Sequence, residues 1–363
     1  MIGPVILDWY GCDLHSGQIV AELPALSTDQ ALSRKLGAST TSSLTLALDG
    51  APAGWESATT PGRTMLVPVD RATGQPVTAG IVLTRAGGTD PALSLGIASP
   101  EAYMDRRYAA AGTWVGADQA VILTTTAGPL LTQAPPFVFD APGTGTPASY
   151  SVADGDDRTI LSVWQELMDQ DAGPEWTVDV RWNASRTGFE LPVRVRAASG
   201  IGNVTTTPMA VFDLPGCISA YTLTESYEDG KGATTVRAYG DGEGDARLRS
   251  ADHSADALLA AGYALWEYRF TPASATTDPV ALDASAAGTL TAMATGSTVW
   301  DVTATASAAP RLGQDWALGD SIGVQIARSP RHPGGAATVA RCWAWELDPA
   351  ADTVRPVLVQ EET

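Results

Sequence analysis

Apolar and polar residues alternate in short runs along most of this chain, and the runs break at glycine, proline or aspartate. Leu44, Leu46 and Leu48 alternate with Thr45 and Ala47 and end at Asp49-Gly50, a strand followed by turn chemistry. Met65 to Val69 and Gly80 to Thr84 flank Arg71-Ala-Thr-Gly74, which predicts a hairpin tip. Such strands, about 8–15 residues apart, predict a small barrel or sandwich over the first 110 residues.

The pattern then changes. Ile160, Leu161, Trp164, Leu167 and Met168 recur at helical spacing after the candidate caps Asp156 and Asp157, and Gly173-Pro174 closes the helix. Trp176, Val178, Val180 and Trp182 alternate with Thr177, Asp179 and Arg181, predicting a half-buried strand. Residues 191–196 are its expected hairpin partner across 183–188. Further on, 222–228 and 234–239 are expected to pair across Asp229-Gly230-Lys-Gly232. Helices are expected over 254–261, capped by Ser254 and stopped by Gly262, and from Asp283 to Gly296. Strands follow at 302–305, 322–326, 338–347 and 353–359.

The predicted fold is mainly β with an α+β module. A first antiparallel β-barrel covers 1–112, a discontinuous α+β domain covers 113–213 and 246–298, and a second β-barrel covers 214–245 and 299–363. The expected packing joins the 215–240 hairpin to the last strands and docks the intervening helices on the middle domain.

Composition supports a β-rich globular chain: 44% hydrophobic, 17% charged, with Gly 36 and Pro 24 supplying turns. Lys+Arg 22 against Asp+Glu 41 leaves −19, a field that repels nucleic-acid phosphate and anionic membranes. The first ten residues lack a basic n-region and a full apolar core, so no signal peptide is expected. No apolar run reaches the ~18 residues of a membrane span. Cys12, Cys217 and Cys342 lie far apart with no Cys-x-x-Cys, and are expected to be buried, reduced thiols.

Chemistry-bearing patterns are sparse. His15, His253 and His332 have no HExxH or comparable partner, and no G-x-S-x-G elbow occurs. Asp241, Glu243 and Asp245 alternate in a glycine-rich turn but lack the ligand set of a calcium loop, leaving a weak cation site as the alternative to plain turn chemistry. The eleven tryptophans, Trp176 with Trp182 and Trp343 with Trp345 among them, are expected mainly in cores, with a sugar platform as the alternative. Arg106 and Arg107, in the charged-aromatic cluster 101–108, suit inter-subunit pairing with carboxylates.

An ordered set of segments carries a resemblance. Pro100-Glu-Ala-Tyr-Met-Asp-Arg-Arg107 precedes Trp114, then the helix 158–168 leads into Gly173-Pro-Glu-Trp176. Asp213-Leu-Pro-Gly216, Gly262-Tyr-Ala-Leu-Trp-Glu267 and Leu318-Gly-Asp-Ser-Ile-Gly-Val-Gln-Ile326 follow. In this order they resemble the minor tail proteins of siphophages infecting actinobacteria, a group similar to the baseplate or tail-tip hub of tailed phages. The resemblance spans nearly the whole chain. It implies two barrels joined by a discontinuous α+β part, and a homotrimer whose six barrels form a pseudo-sixfold ring. It further implies a virion component, assembled in the bacterial cytoplasm, that joins the tail tube end and distal tail protein to tape measure and tip or fibre proteins. DNA would pass through the lumen without specific binding. The family carries no catalytic residues and no cofactor, so neither is assigned. The alternatives are a carbohydrate-binding or carbohydrate-cleaving tail protein, and the equivalent hub of a gene-transfer or injection particle.

Overall fold

The computed structural model describes residues 3–170, 172–240, 242, 244, 247–272 and 279–360. The opening segment contains β1 (Leu7–Asp13), β2 (Ile19–Glu22), β3 (Leu26–Thr28), β4 (Leu32–Lys35), β5 (Thr41–Ala47), the short helix α1 (Trp55–Ala58), β6 (Thr64–Asp70), β7 (Gln75–Pro76), β8 (Gly80–Ala86) and β9 (Ala92–Ala98). All but β4 join one antiparallel sheet in the order β2-β1-β6-β8-β9-β5-β3, with β7 beside β6. Leu44 and Leu46 of β5 are fully buried, as their alternation predicts. In β6, by contrast, every residue is buried. Leu66 faces one core while Met65, Val67 and Val69 face another. A strand covered on both sides is apolar on both sides.

The middle segment contains α2 (Glu101–Met104), β10 (Gly112–Asp118), α3 (Gln119–Thr126), β11 (Phe137–Asp140), β12 (Pro147–Val152), α4 (Ile160–Met168), β13 (Glu175–Val178), β14 (Arg181–Trp182) and β15 (Phe189–Arg196). The cap of α4 is Thr159, whose hydroxyl accepts from the Ser162 amide, rather than Asp156 or Asp157. The expected 183–188 hairpin forms, with β15 antiparallel to both β13 and β14. The single strand expected over 176–182 does not. It breaks at Asp179, whose carboxylate is drawn to Arg34 and Arg194. Glu175 and Thr177 are buried as well, so β13 is covered on both faces and not half-buried.

The last segment contains β16 (Val211–Leu214), β17 (Ile218–Ser226), β18 (Thr235–Ala238), β19 (His253–Ser254), α5 (Asp256–Ala260), β20 (Glu267–Phe270), α6 (Pro279–Met293), β21 (Ser297–Thr305), β22 (Ser321–Ile326), β23 (Ala336–Asp348) and β24 (Thr353–Val359). The second large sheet has the order β16-β22-β23-β24-β21-β17. Its two ends are consecutive in the chain, joined only by Pro215, Gly216 and Cys217, so the sheet curls back on itself. The expected hairpin between 222–228 and 234–239 does not form. β17 pairs along its length with β21, where Tyr221 meets Val302 and Leu223 meets Trp300. β18 instead lies between β19 and β20 in a separate small sheet. The turn at 229–232 therefore connects two bodies. Helix α6 packs on this small sheet and not on the middle segment. Ser254 lies in β19, and the N-cap of α5 is the next residue, Ala255, with the helix beginning at Asp256.

The crossing strand is β4. It leaves the first sheet and pairs with β23, Leu32 opposite Leu347 and Trp345 opposite Arg34. One hydrophobic core consequently runs through both large sheets, from Leu23, Leu32 and Leu46 to Phe212, Trp316 and Leu358. A second core joins the other face of β6 to α3, α4 and β15. A third, small core holds only residues 233–293. The molecule is mainly β, with several sheets, one half-barrel and few helices.

Candidate functional site

Charge inside the protein is concentrated at the junctions between these bodies. Arg341 on β23 is 2% exposed, and both its terminal nitrogens donate to Glu175 at 2.5 Å. Its remaining donors reach the carbonyls of Gly319 and Ile201, and Glu175 accepts from the Ile201 amide. The second sheet is thereby tied to the middle segment. Arg311, after β21, forms a two-pronged pair with Asp70 of β6 at 2.6 Å and donates to the Gly3 carbonyl, tying the two large sheets. Arg34 on the crossing strand binds Asp179, the Thr177 hydroxyl and the Val178 carbonyl, with Glu101 at 3.7 Å.

Burial works against ionisation of Asp179, but Arg34 and Arg194 hold its carboxyl below the usual range. Glu101 goes the other way: burial pushes its carboxyl up although Arg34 opposes this. One of its oxygens accepts from the Val178 amide and the other, Oε2, is buried with no hydrogen-bond partner among the described residues. These three arginines were not singled out from the sequence. Their signal is a lone charge inside an apolar run, as in Ala340-Arg341-Cys342.

The predicted contact residues differ from one another. Arg107 is engaged within its own chain: it donates to the Tyr103 hydroxyl and to the carbonyls of Pro129 and Thr132, and lies over the Tyr103 ring. Arg106 is exposed and makes no side-chain hydrogen bond or ion pair among the described residues. Trp176 and Trp345 are fully buried, and Trp182 and Trp343 pack against the same cores. All three cysteines are buried and free, and burial pushes the Cys12 thiol up to about 12. The histidines are dispersed, each on a local partner: His15 on the Ala134 carbonyl, His253 on Asp283, His332 on the Tyr221 hydroxyl. Among the described residues no group of three potential ligands could hold a metal. Asp241, Glu243 and Asp245 lie outside the described residues.

A cleft of about 1460 Å³ separates the middle segment from the small sheet and α6. One wall carries Val115, Gln119, Ser149, Glu166, Asp169 and Gln170; the other carries Tyr268, Phe270 and Met293. Arg158 pairs with Glu166 and with the Tyr150 hydroxyl on the first wall. Nothing in the one-dimensional pattern marks this cleft, because its walls are far apart in sequence.

No family model matches the chain, and no curated protein does. Solved structures do match it over its full length. The tail protein from Neisseria meningitidis MC58 is similar at 12% identity and TM-score 0.60, covering 99% of this chain and 97% of that one. The 43 kDa tail protein of prophage MuSo2 from Shewanella oneidensis is similar at 11% identity and TM-score 0.58, covering 98% of each chain. A chain of the Francisella PdpA–VgrG complex is similar at 8% identity and TM-score 0.54, over 98% of this chain but 52% of that one. At these identities the likeness is one of fold, which this chain shares over nearly its whole length with solved tail proteins.

Proposed function

We propose that the chain is a structural hub of a phage tail tip or baseplate. The observation that carries this reading is the single core running through both large sheets, in a fold shared end to end with tail proteins. A copy built this way is a stiff segment presenting two sheet bodies at fixed spacing. Three copies closing through head-to-tail contacts present six such bodies around one axis, which matches a sixfold tube on one side and a threefold tip on the other.

In this reading the distal tail protein and tube end meet one rim, and tape measure and tip or fibre proteins meet the other. The exposed Arg106 is placed at the contact between copies, on a loop braced by Arg107. The −19 surplus keeps DNA from adhering as it passes through the opening; a basic inner surface would refute that part. No catalytic residue is assigned. The likeness to a chain of the PdpA–VgrG complex supports a second reading, the corresponding part of an injection apparatus.

Light scattering after size exclusion tests the assembly. The expected mass is three times the 37.6 kDa of one chain. A single-chain mass at every concentration would overturn the ring.

A further inference from the structure

The eleven tryptophans all lie among the described residues, and Trp266 alone is exposed, at 53%. Its neighbours Tyr263 and Leu265 are 50% and 63% exposed. All three fall in the segment 262–267, which the assembly reading leaves without a role. The rings do not stand singly. Tyr227, just after β17, has its ring centroid 6.2 Å from that of Tyr263 and 6.2 Å from that of Trp266, tilted to the first and edge-on to the second.

The backbone beneath these rings is held at both ends. The Tyr263 amide donates to the Leu258 carbonyl, and the Thr234 hydroxyl donates to the Ala264 carbonyl. The Trp266 amide donates to the Thr234 hydroxyl at 2.7 Å, and the Trp266 carbonyl accepts from the Thr234 and Thr235 amides. Tyr227 is fixed as well. Its hydroxyl donates to the Ala294 carbonyl, and Gly232 lies so close to the ring that a Cβ there would come within 2.4 Å of it. By contrast, the Trp266 indole N–H and the Tyr263 hydroxyl have no hydrogen-bond partner among the described residues. Two half-exposed rings on a braced base, each with a free polar group, form a platform that needs little ordering before it binds.

Size and charge narrow the occupant. Half of the 150–250 Å² carried by an aromatic side chain, taken for Trp266 and Tyr263 and with Leu265 added, is on the order of 300 Å². That is well short of the roughly 800 Å² per partner of a stable protein interface and suits a sugar ring or two. Glu228, beside Tyr227, is paired with Lys231, and Glu267, beside Trp266, is paired with Arg269. The −19 surplus of the chain disfavours acidic sugars and anionic lipid surfaces.

We propose that Trp266 and Tyr263 form a binding platform for a neutral oligosaccharide, with the flat face of a pyranose ring lying on the Trp266 indole. The axial C–H bonds of a gluco-configured ring carry partial positive charge and meet the negative face of the π system. Its equatorial hydroxyls supply partners for the indole N–H and the Tyr263 hydroxyl. This site needs one copy only, so it goes beyond the assembly reading and holds whether or not the chain closes into a ring.

The test is isothermal titration calorimetry of the full-length chain with cellohexaose and chitohexaose, two neutral oligomers of gluco-configured rings. Saturable binding of at least one is expected. Trp266→Ala and Tyr263→Ala should each weaken it roughly tenfold or more, and Trp266→Phe, which keeps an aromatic face, should recover part of the loss. Tyr108→Ala removes an exposed ring elsewhere and should change binding by less than about twofold. Should Trp266→Ala fail to fold, Tyr263→Ala and Trp266→Phe carry the test. Binding of neither sugar overturns the proposal, as does an equal loss in Tyr108→Ala. A lower mass of Trp266→Ala in light scattering, with sugar binding unchanged, would assign the rings to a contact between copies and overturn it as well.

Discussion

Arg341 and Arg34 show how differently one residue type behaves with the carboxylates it meets. Glu175 is matched to Arg341 on both oxygens, so Glu175→Gln leaves a guanidinium buried without its countercharge. It should cost roughly 3–5 kcal/mol in chemical denaturation. Glu101 is the contrasting case. Its carboxyl is raised by burial and one oxygen has no hydrogen-bond partner among the described residues, while Arg34 retains Asp179 if Glu101 loses its charge. A raised folded pKa means that stability is lost as pH climbs above the unfolded value of about 4.3. Glu101→Gln removes that loss: its melting temperature should equal the parent's near pH 4 and exceed it at pH 7. A lower value at pH 7 would show that the carboxylate is needed charged. Asp179 titrates in the opposite sense, its contribution present at neutral pH and lost as pH falls through its depressed value. None of this is legible in the sequence, where Asp179 lies 145 positions from Arg34 and Glu101 belongs to a different element. The tryptophans were better marked, because strand-face indoles bury more apolar area than any other side chain can.

At the scale of elements, local pattern served where a strand pairs with its sequence neighbour and failed where it does not. β24 occupies the expected 353–359, and β15 folds back on β13 and β14 as its hairpin spacing implied. β18 does not pair with the neighbour its turn predicts, because a glycine-rich turn reads alike whether it closes a hairpin or links two bodies. β4 carries no signal of its own: Leu-Ser-Arg-Lys is too short to declare which sheet it joins. Its consequence is testable. Leu32 is 1% exposed in the shared core, and Leu32→Ala should cost about 2–5 kcal/mol. Because both sheets use that core, hydrogen exchange should speed up together in β5 and in β23. Faster exchange confined to the first sheet would show that the two unfold separately. The 233–293 body, with its own small core, should exchange first in either protein.

For the whole molecule, a mainly β chain with α+β parts is legible in composition and periodicity, and the ordered segments from Pro100 to Ile326 point to tail proteins, the likeness that the solved structures show. The sharing of one core by two sheets could not be read, since it depends on β4 crossing over. In the proposed hub, that crossing joins the two sheets of each copy through one core. Electron-microscopic class averages of the purified protein examine this most directly. The account predicts a threefold particle with six sheet-sized lobes around an open channel. Single-copy particles, or closed assemblies with no central opening, would contradict it.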